Sequence, residues 1–132
     1  MTDELLPIRK MCDAFDVTPR TLRFYEAKEL LFPVRDGQKR LFTRRDRARL
    51  KLILRGKRFG FSLEEIRELL DLYDIGDRQE TQLRRAHEAA TIHLADLERQ
   101  RAELDEAIAE LKAQMAWAET RLYGARSDQA AE

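Results

Sequence analysis

Residues 17–40 read VTPRTLRFYEAKELLFPVRDGQKR, and this stretch decides the fold. Thr18 precedes a proline and predicts the start of a helix, because threonine is a good N-cap and proline is tolerated in a first helical turn. About ten residues beyond that helix, Asp36 and Gly37 form a tight-turn signal inside a hairpin at 31–42. A short arginine-bearing helix followed so closely by a basic hairpin predicts a winged helix-turn-helix, with the helix in the major groove and the wing beside it.

The distribution of charge supports a nucleic-acid-binding head, although the net charge of the whole chain is zero. Residues 1–60 carry 16 Lys and Arg against eight Asp and Glu, whereas residues 61–132 carry nine against 17. Residues 35–58 alone carry 11 basic side chains against two acidic ones. Lys and Arg displace the counterions condensed on DNA, so this distribution of charge fits a polyanion-binding head joined to an acidic remainder. The alternative is a solvated helix face crossed by salt bridges.

Apolar periodicity and capping signals predict four helices in the head, at 7–15, 19–28, 43–59 and from 63 towards a break at 75–77. Thr43 with Asp46 has the spacing of a capping box, and Ser62 with Glu65 has the full form of that motif. Gly60 stands just past the end of the third helix, as glycine commonly does.

A long apolar repeat predicts a coiled coil in the second half of the chain. The segment 78–123 contains no proline or glycine, and its apolar positions recur in alternating steps of four and three over 40 residues. Ten of the twelve positions of the repeat are apolar, and it comprises Leu83, His87, Ala90, Leu94, Leu97, Arg101, Leu104, Ile108, Leu111, Met115, Ala118 and Leu122. A 3.5-residue period implies a left-handed supercoil with a partner helix, and a second copy of the chain is the simplest partner. The alternative, a helix folded back on itself, would need a turn signal.

Length and composition exclude several classes of protein. The 132 residues suffice for one small domain plus an extended element, and we expect neither a membrane span nor a signal peptide. The single cysteine, Cys12, lies on the apolar face of the first helix and is expected in the core of a cytoplasmic protein. No catalytic constellation or phosphate-binding glycine loop is present, so we expect neither an enzyme nor a cofactor or metal site.

The segment 6–73 resembles the DNA-binding domain of the MerR family of bacterial transcription regulators. The motifs that carry the resemblance are VTPRTLRFYE at 17–26, LLFPVR at 30–35, GQKRLF at 37–42 and GFSLEEI at 60–66. The stretch LILRGKRFGFSL at 52–63 resembles most closely the regulators of leucine, isovalerate and fatty-acid catabolism within that family.

The resemblance implies a mainly α architecture: a winged helix-turn-helix head with four helices and a two-stranded wing at 5–75, an antiparallel dimerisation helix at 78–123 and a disordered tail at 124–132. It also implies a homodimer that binds double-stranded DNA at a promoter palindrome, bending and untwisting an over-long spacer for RNA polymerase. An acyl-type effector and control of catabolic genes are suggested by the narrower resemblance. The alternatives from the residues are an architectural nucleoid protein with little base preference and a coiled-coil adaptor whose basic head binds an acidic protein.

By position in the family motifs, individual roles follow for the head. Thr18 and Arg20 are expected at bases, where an arginine fork pairs with guanine O6 and N7. The remaining expected DNA contacts, mainly to phosphates, are Thr21, Arg23, Tyr25, Arg35, Lys39 and Arg40. An alternative for Arg23 is a salt bridge to Glu26. The expected dimer contacts are Leu83, Ala90, Leu94, Leu97, Arg101, Leu104, Ile108, Leu111 and Met115.

Three positions carry further expectations. Family members usually have glycine at position 29, so Glu29 would be strained if this position keeps a positive φ. The polar seam residues His87 and Arg101 are expected to fix the register and direction of the dimer, at a cost in stability.

Overall fold

The computed structural model describes residues 4–75 and 80–131 of the chain. Within them the backbone forms three strands and five helices. The elements in chain order are β1 (Leu6–Pro7), α1 (Ile8–Phe15), α2 (Pro19–Ala27), β2 (Val34–Asp36), β3 (Lys39–Phe42), α3 (Arg44–Phe59), α4 (Leu63–Ile75) and α5 (Glu80–Ala131). The predicted mainly α class with a small wing is confirmed, and the predicted break at 75–77 lies largely outside the described residues.

The wing is three-stranded rather than two-stranded. β3 lies at the centre of the sheet, with β2 antiparallel on one side and β1 antiparallel on the other. Pro7 was expected to begin the first helix, but it ends β1 and precedes α1. Proline has no N–H to donate, so it is tolerated at the edge of a sheet. The pairing of β1 is a long-range contact, which local sequence patterns do not specify.

The hairpin turns at Gly37 and Gln38, one residue later than the sequence suggested, because Asp36 pairs with Lys39 inside the ladder. Gly37 has a φ of 64°, whereas Gln38 is not among the positive-φ residues. Positive φ at the first central residue alone is the pattern of a type II′ turn, in which glycine is favoured at that position.

The predicted helix caps are present. The hydroxyl of Thr18 accepts from the backbone N–H of Thr21 at 3.2 Å. Thr43 and Asp46 form a reciprocal capping box at the start of α3, and α3 ends at Gly60, whose φ is 91°. At α4, the N–H of Ser62 donates to Glu65 at 2.8 Å and the hydroxyl of Ser62 accepts from the N–H of Glu65 at 3.1 Å.

One hydrophobic core is formed by α1 to α4 and the wing. Its fully buried members include Met11, Leu22, Leu30, Leu31, Phe42, Leu50, Ile53, Ile66 and Leu70. Cys12 is also buried, as predicted, and burial raises the pKa of its thiol. Phe42, the last residue of the wing, is completely buried. Core packing therefore fixes both the wing and α2, the two elements that carry the predicted DNA contacts.

The backbone divides into two compact units, and the boundary between them in the sequence lies between His93 and Leu94, within α5. The first 14 residues of α5, from Glu80 to His93, therefore group with the head, although the sequence assigned the head to 5–75. α5 also continues to Ala131 as helix, where a disordered tail from 124 was expected. Across the described residues, no helix has both the length and the apolar character that a bilayer span requires.

Candidate nucleic-acid interface

Helix α2 presents a polar face at the surface of the head. Thr18, Arg20 and Arg23 are exposed, and Thr21 is half-buried. The Thr18 and Thr21 hydroxyl oxygens lie 2.9 Å apart, so both side chains are partly occupied in capping the helix. Among the described residues Arg20 and Arg23 form no ion pair, and Glu26 pairs with other arginines rather than with Arg23. The two α2 arginines are therefore unpaired cations on the exposed face of a capped helix.

Tyr25 belongs to the core. Only 2% of its surface is exposed, and burial raises the pKa of its phenol. Tyr25 lines a surface groove, so any phosphate contact of this residue is restricted to the part of the side chain that reaches that groove. The spacing of Leu22 and Tyr25, three residues apart on one helix, is the sequence pattern of two core positions.

The two predicted wing arginines are held by helix α2. Arg40 Nε lies 2.9 Å and 3.2 Å from the two carboxylate oxygens of Glu26, and an Arg35 terminal nitrogen lies 3.0 Å from Glu26 Oε1. Arg35 and Arg40 are also directly opposite each other in the β2–β3 ladder. Lys39 is exposed and forms no ion pair among the described residues. The wing therefore carries one unpaired cation and two that share a carboxylate.

The base of the wing is clamped to α3 by two buried polar side chains. Asp46 accepts from the backbone N–H of Phe32 at 2.9 Å and of Thr43 at 3.1 Å, which joins the two ends of the wing. Arg49 donates to the carbonyl of Leu30 at 2.7 Å, and its guanidinium lies 5.3 Å from the centre of the Phe32 ring. Arg49 is one of the 11 basic residues of the stretch 35–58, but it is 94% buried and stabilises the fold.

The connection after α2 has the positive φ that was expected to strain a residue other than glycine at position 29. Glu29 has a φ of 58°. The N–H of Leu30 donates to the carbonyl of Tyr25 and the N–H of Glu29 donates to the carbonyl of Glu26, both at 2.9 Å. These two bonds define a Schellman motif, which favours glycine at the position occupied here by Glu29. Arg67 of α4 donates to the carbonyl of Lys28 at the same helix end.

A surface groove of about 460 Å³ adjoins the polar face of α2. Arg20 and Thr21 line it together with Lys57 of α3, and its apolar lining includes Phe24 and Phe61. Lys57 shares a helix face with core residues by sequence, yet it is exposed and borders this groove. Sequence reasoning missed Lys57 because only the fold brings α3 beside Arg20. Phe24 lies one turn after Arg20 on the same helix, so its four-residue spacing was a signal that could have indicated it.

The predicted seam of α5 is exposed in the single chain. Its large apolar members, each between 39% and 64% exposed, are Leu83, Leu94, Leu97, Leu104, Ile108, Leu111, Met115 and Leu122. Ala90 and Arg101 are exposed as well. A continuous apolar stripe of this length marks an association surface.

A second stripe on α5, missed by sequence reasoning, is turned away from solvent. Gln82, Ala86, Ala89 and His93 are half-buried and recur in steps of four, three and four. His93 Nε2 lies 3.0 Å from Glu65 Oε1, and its ring centroid lies 4.9 Å from that of Phe61. Within this stripe His93 makes the contacts with the head, whereas the seam residues Leu83, His87 and Ala90 on the neighbouring face are exposed.

Two family models match the chain. The model described as MerR HTH family regulatory protein matches residues 6–72, and the model described as MerR, DNA binding matches residues 47–114. The chain belongs to the MerR family. Both models cover about half of the chain, and together they span the head and most of the exposed seam of α5.

Relatives from several bacteria agree with this assignment. The HTH-type transcriptional regulator ZntR of Escherichia coli is 43% identical over 67 residues, which are 49% of this chain and 48% of ZntR. The chain thus spans about half the length of that relative. The mercuric resistance operon regulatory protein of Pseudomonas fluorescens is 35% identical over 109 residues, 80% of this chain and 76% of the relative.

A solved structure extends the similarity over nearly the whole chain. HiNmlR, a MerR family regulator lacking the sensor domain and solved bound to promoter DNA, superposes with a TM-score of 0.71 at 25% identity. The match covers 91% of each chain. The match therefore includes both the winged head and the long helix.

Proposed function

We propose that this MerR family member is a sequence-specific, DNA-binding transcriptional regulator that acts as a homodimer in the bacterial cytoplasm. The observation that carries the proposal is its 91% coverage of a family member solved on promoter DNA. Within the described head, the exposed and unpaired Arg20, Arg23 and Lys39 support it, because such cations can neutralise phosphates or meet base edges.

The dimer contributes a two-fold axis, and a two-fold symmetric protein matches a palindromic DNA site. The exposed seam of α5 is the surface that a second copy would cover, in the antiparallel orientation expected from the family. The proposed site is a palindrome within an over-long promoter spacer, where bending and untwisting would align the promoter elements for RNA polymerase. Genes of branched-chain amino acid or fatty-acid catabolism and an acyl-type effector are the proposed context.

The proposed roles divide the contacts into two kinds. Thr18 and Arg20 approach bases, while Arg23, Lys39 and Arg40 hold the sugar-phosphate backbone, joined by Tyr25 where it borders the groove. Thr21 and Arg35 are further proposed DNA contacts. Arg20→Ala should cost about 1–3 kcal/mol at its base pair and relax sequence preference there. Lys39→Ala should weaken binding to all sequences alike and reduce the slope of log K against log salt by about one.

The test is selection of genomic fragments by the purified full chain, followed by footprinting on the best fragment. We expect an enriched palindrome inside a long promoter spacer, with cleavage enhanced at its centre. Tight, salt-sensitive binding that enriches no motif would refute a sequence-specific regulator and would indicate an architectural protein. Binding that is unchanged in an Arg20→Ala, Arg23→Ala double variant would remove the proposed role of α2.

A further inference from the structure

The carboxylate of Glu26 occupies an unusual place for an acidic group. It lies on the helix proposed to enter the major groove, and it contacts both Arg35 and Arg40 of the wing. The Glu26 side chain is 19% exposed and that of Arg40 is 22% exposed, so their ion pair is shielded from solvent. Arg35 is more open, at 50% exposure.

The β2–β3 ladder explains why an acid is needed at this point. Arg35 and Arg40 are directly opposite in an antiparallel pair, so their side chains leave the same face of the hairpin. Like charges in that position repel and would spread apart or away from the helix. Glu26 bonds to both guanidinium groups and gives each a defined position relative to α2.

The atoms used in these bonds leave the arginines able to bind a further anion. Arg40 contacts Glu26 through Nε alone, at 2.9 Å and 3.2 Å, so its terminal nitrogens are not used by this pair. Arg35 uses one terminal nitrogen. A guanidinium has five N–H donors in a fixed plane, and the unused donors are sufficient for a bidentate phosphate contact.

We propose that Glu26 is a positioning residue, which fixes the wing arginines relative to the recognition helix so that their remaining donors meet DNA phosphates. This inference rests on the proposed function, since it concerns the same DNA-binding surface. It makes helix and wing one unit, because a single carboxylate joins α2 to both strands of the hairpin.

The sign of the effect of removing this charge separates the inference from simple electrostatics. If Glu26 only reduced the positive charge of the surface, its neutralisation would strengthen binding to a polyanion. If Glu26 positions two phosphate contacts, its neutralisation weakens specific binding although the protein has become more positive. The salt slope separates the two cases further, because it counts the phosphates neutralised.

The experiment compares Glu26→Gln with Glu29→Gln in the full chain, on the selected palindrome and on random DNA over a series of salt concentrations. Both variants remove one negative charge near the end of α2, but Glu29 has no ion pair among the described residues. We expect Glu26→Gln to weaken specific binding about tenfold and to reduce the slope by about one to two, as two phosphate contacts loosen. Glu29→Gln should bind at least as tightly as the original protein, with an unchanged slope.

A double-variant cycle tests whether Glu26 acts through Arg40. Arg40→Ala should weaken binding severalfold in the original chain and have almost no effect in the Glu26→Gln background. Should Glu26→Gln fail to fold by its unfolding curve, Glu26→Asp keeps the charge and shortens the side chain, and it should still weaken binding and flatten the slope.

Tighter binding by Glu26→Gln with an unchanged or steeper slope would overturn the inference. Fully additive effects in the double-variant cycle would do the same. Failure of the proposed function would appear differently, because the unmodified chain itself would then show no salt-sensitive, sequence-preferring binding.

Discussion

Replacement of Glu29 by glycine should stabilise the head. Glu29 occupies the left-handed position of the Schellman motif after α2, with a φ of 58°. A left-handed conformation costs a residue with a Cβ about 1–2 kcal/mol. Glycine avoids this strain but makes the unfolded chain more flexible, which offsets about 0.4–1 kcal/mol. The net gain in the free energy of unfolding from the backbone conformation alone should be about 1 kcal/mol, or a rise in Tm of about 4 °C for a domain of this size.

The charge of Glu29 must be separated from its backbone conformation. A carboxylate near the C-terminus of a helix is unfavourable by about 0.3–1 kcal/mol, so any neutral residue there could stabilise the protein. Glu29→Ala removes the charge and keeps a Cβ at the same φ, so it reports the electrostatic part alone. The difference between Glu29→Gly and Glu29→Ala is the strain less the cost of the greater flexibility of glycine in the unfolded chain.

Thermal unfolding followed by circular dichroism is the assay, with every variant at the same protomer concentration because association changes Tm. Asp16→Gly is a second comparison, since Asp16 has a φ of 54° just after α1. Aspartate tolerates the left-handed region better than glutamate, so this variant should gain less. Equal Tm values for Glu29→Gly and Glu29→Ala would refute the argument from strain.

Three further predictions concern packing, association and pH. Gly56→Ala should lower the free energy of unfolding by about 1 kcal/mol despite the usual preference of helices for alanine, because the added Cβ would lie 2.9 Å from Ile66 Cγ1; an equal or higher denaturation midpoint would contradict it. Arg101→Leu should raise the Tm of the dimer and loosen its register, which crosslinking of the two helices would detect, and a lower Tm would count against a register role. The backbone N–H of Ser62 donates to Glu65 and holds the pKa of that carboxyl below its ordinary value of 4.5. The stability that this cap contributes is therefore present above pH 4.5 and is lost as the pH falls through the lowered pKa. Glu65→Gln keeps the capping pattern and should lose less stability on acidification; an acid limb identical to that of the original chain would show that this carboxylate is not involved.

Local chemistry was enough to predict most of the helices of the head. Thr18, Thr43 and Ser62 each cap the helix expected of them, because an N-cap depends on residues within three or four positions of one another. The exposed repeat of α5 was visible for the same reason, since a heptad pattern is a property of one continuous segment. The position of the turn in the wing was predicted to within one residue.

Contacts between distant segments were the part that the sequence did not specify. Nothing local to Leu6 and Pro7 indicates that they pair with β3 across more than 30 residues. Arg49 looks like its basic neighbours in the sequence, and only the packing of Leu30 against α3 makes it a buried donor. The sequence offered Arg23 as the partner of Glu26, three residues away, whereas the fold supplies two arginines from the wing.

These distant contacts have a common effect on the proposed DNA-binding surface. Asp46 ties both ends of the wing to α3, Glu26 ties its middle to α2, and Arg67 of α4 binds the carbonyl of Lys28 at the end of α2. Each link joins α2 or the wing to a different element, so movement of either would break at least one hydrogen bond to a charged group, worth about 1.5–3 kcal/mol. A rigid head of this kind fits the proposed distortion of promoter DNA, because it would impose its shape on the DNA rather than yield to it.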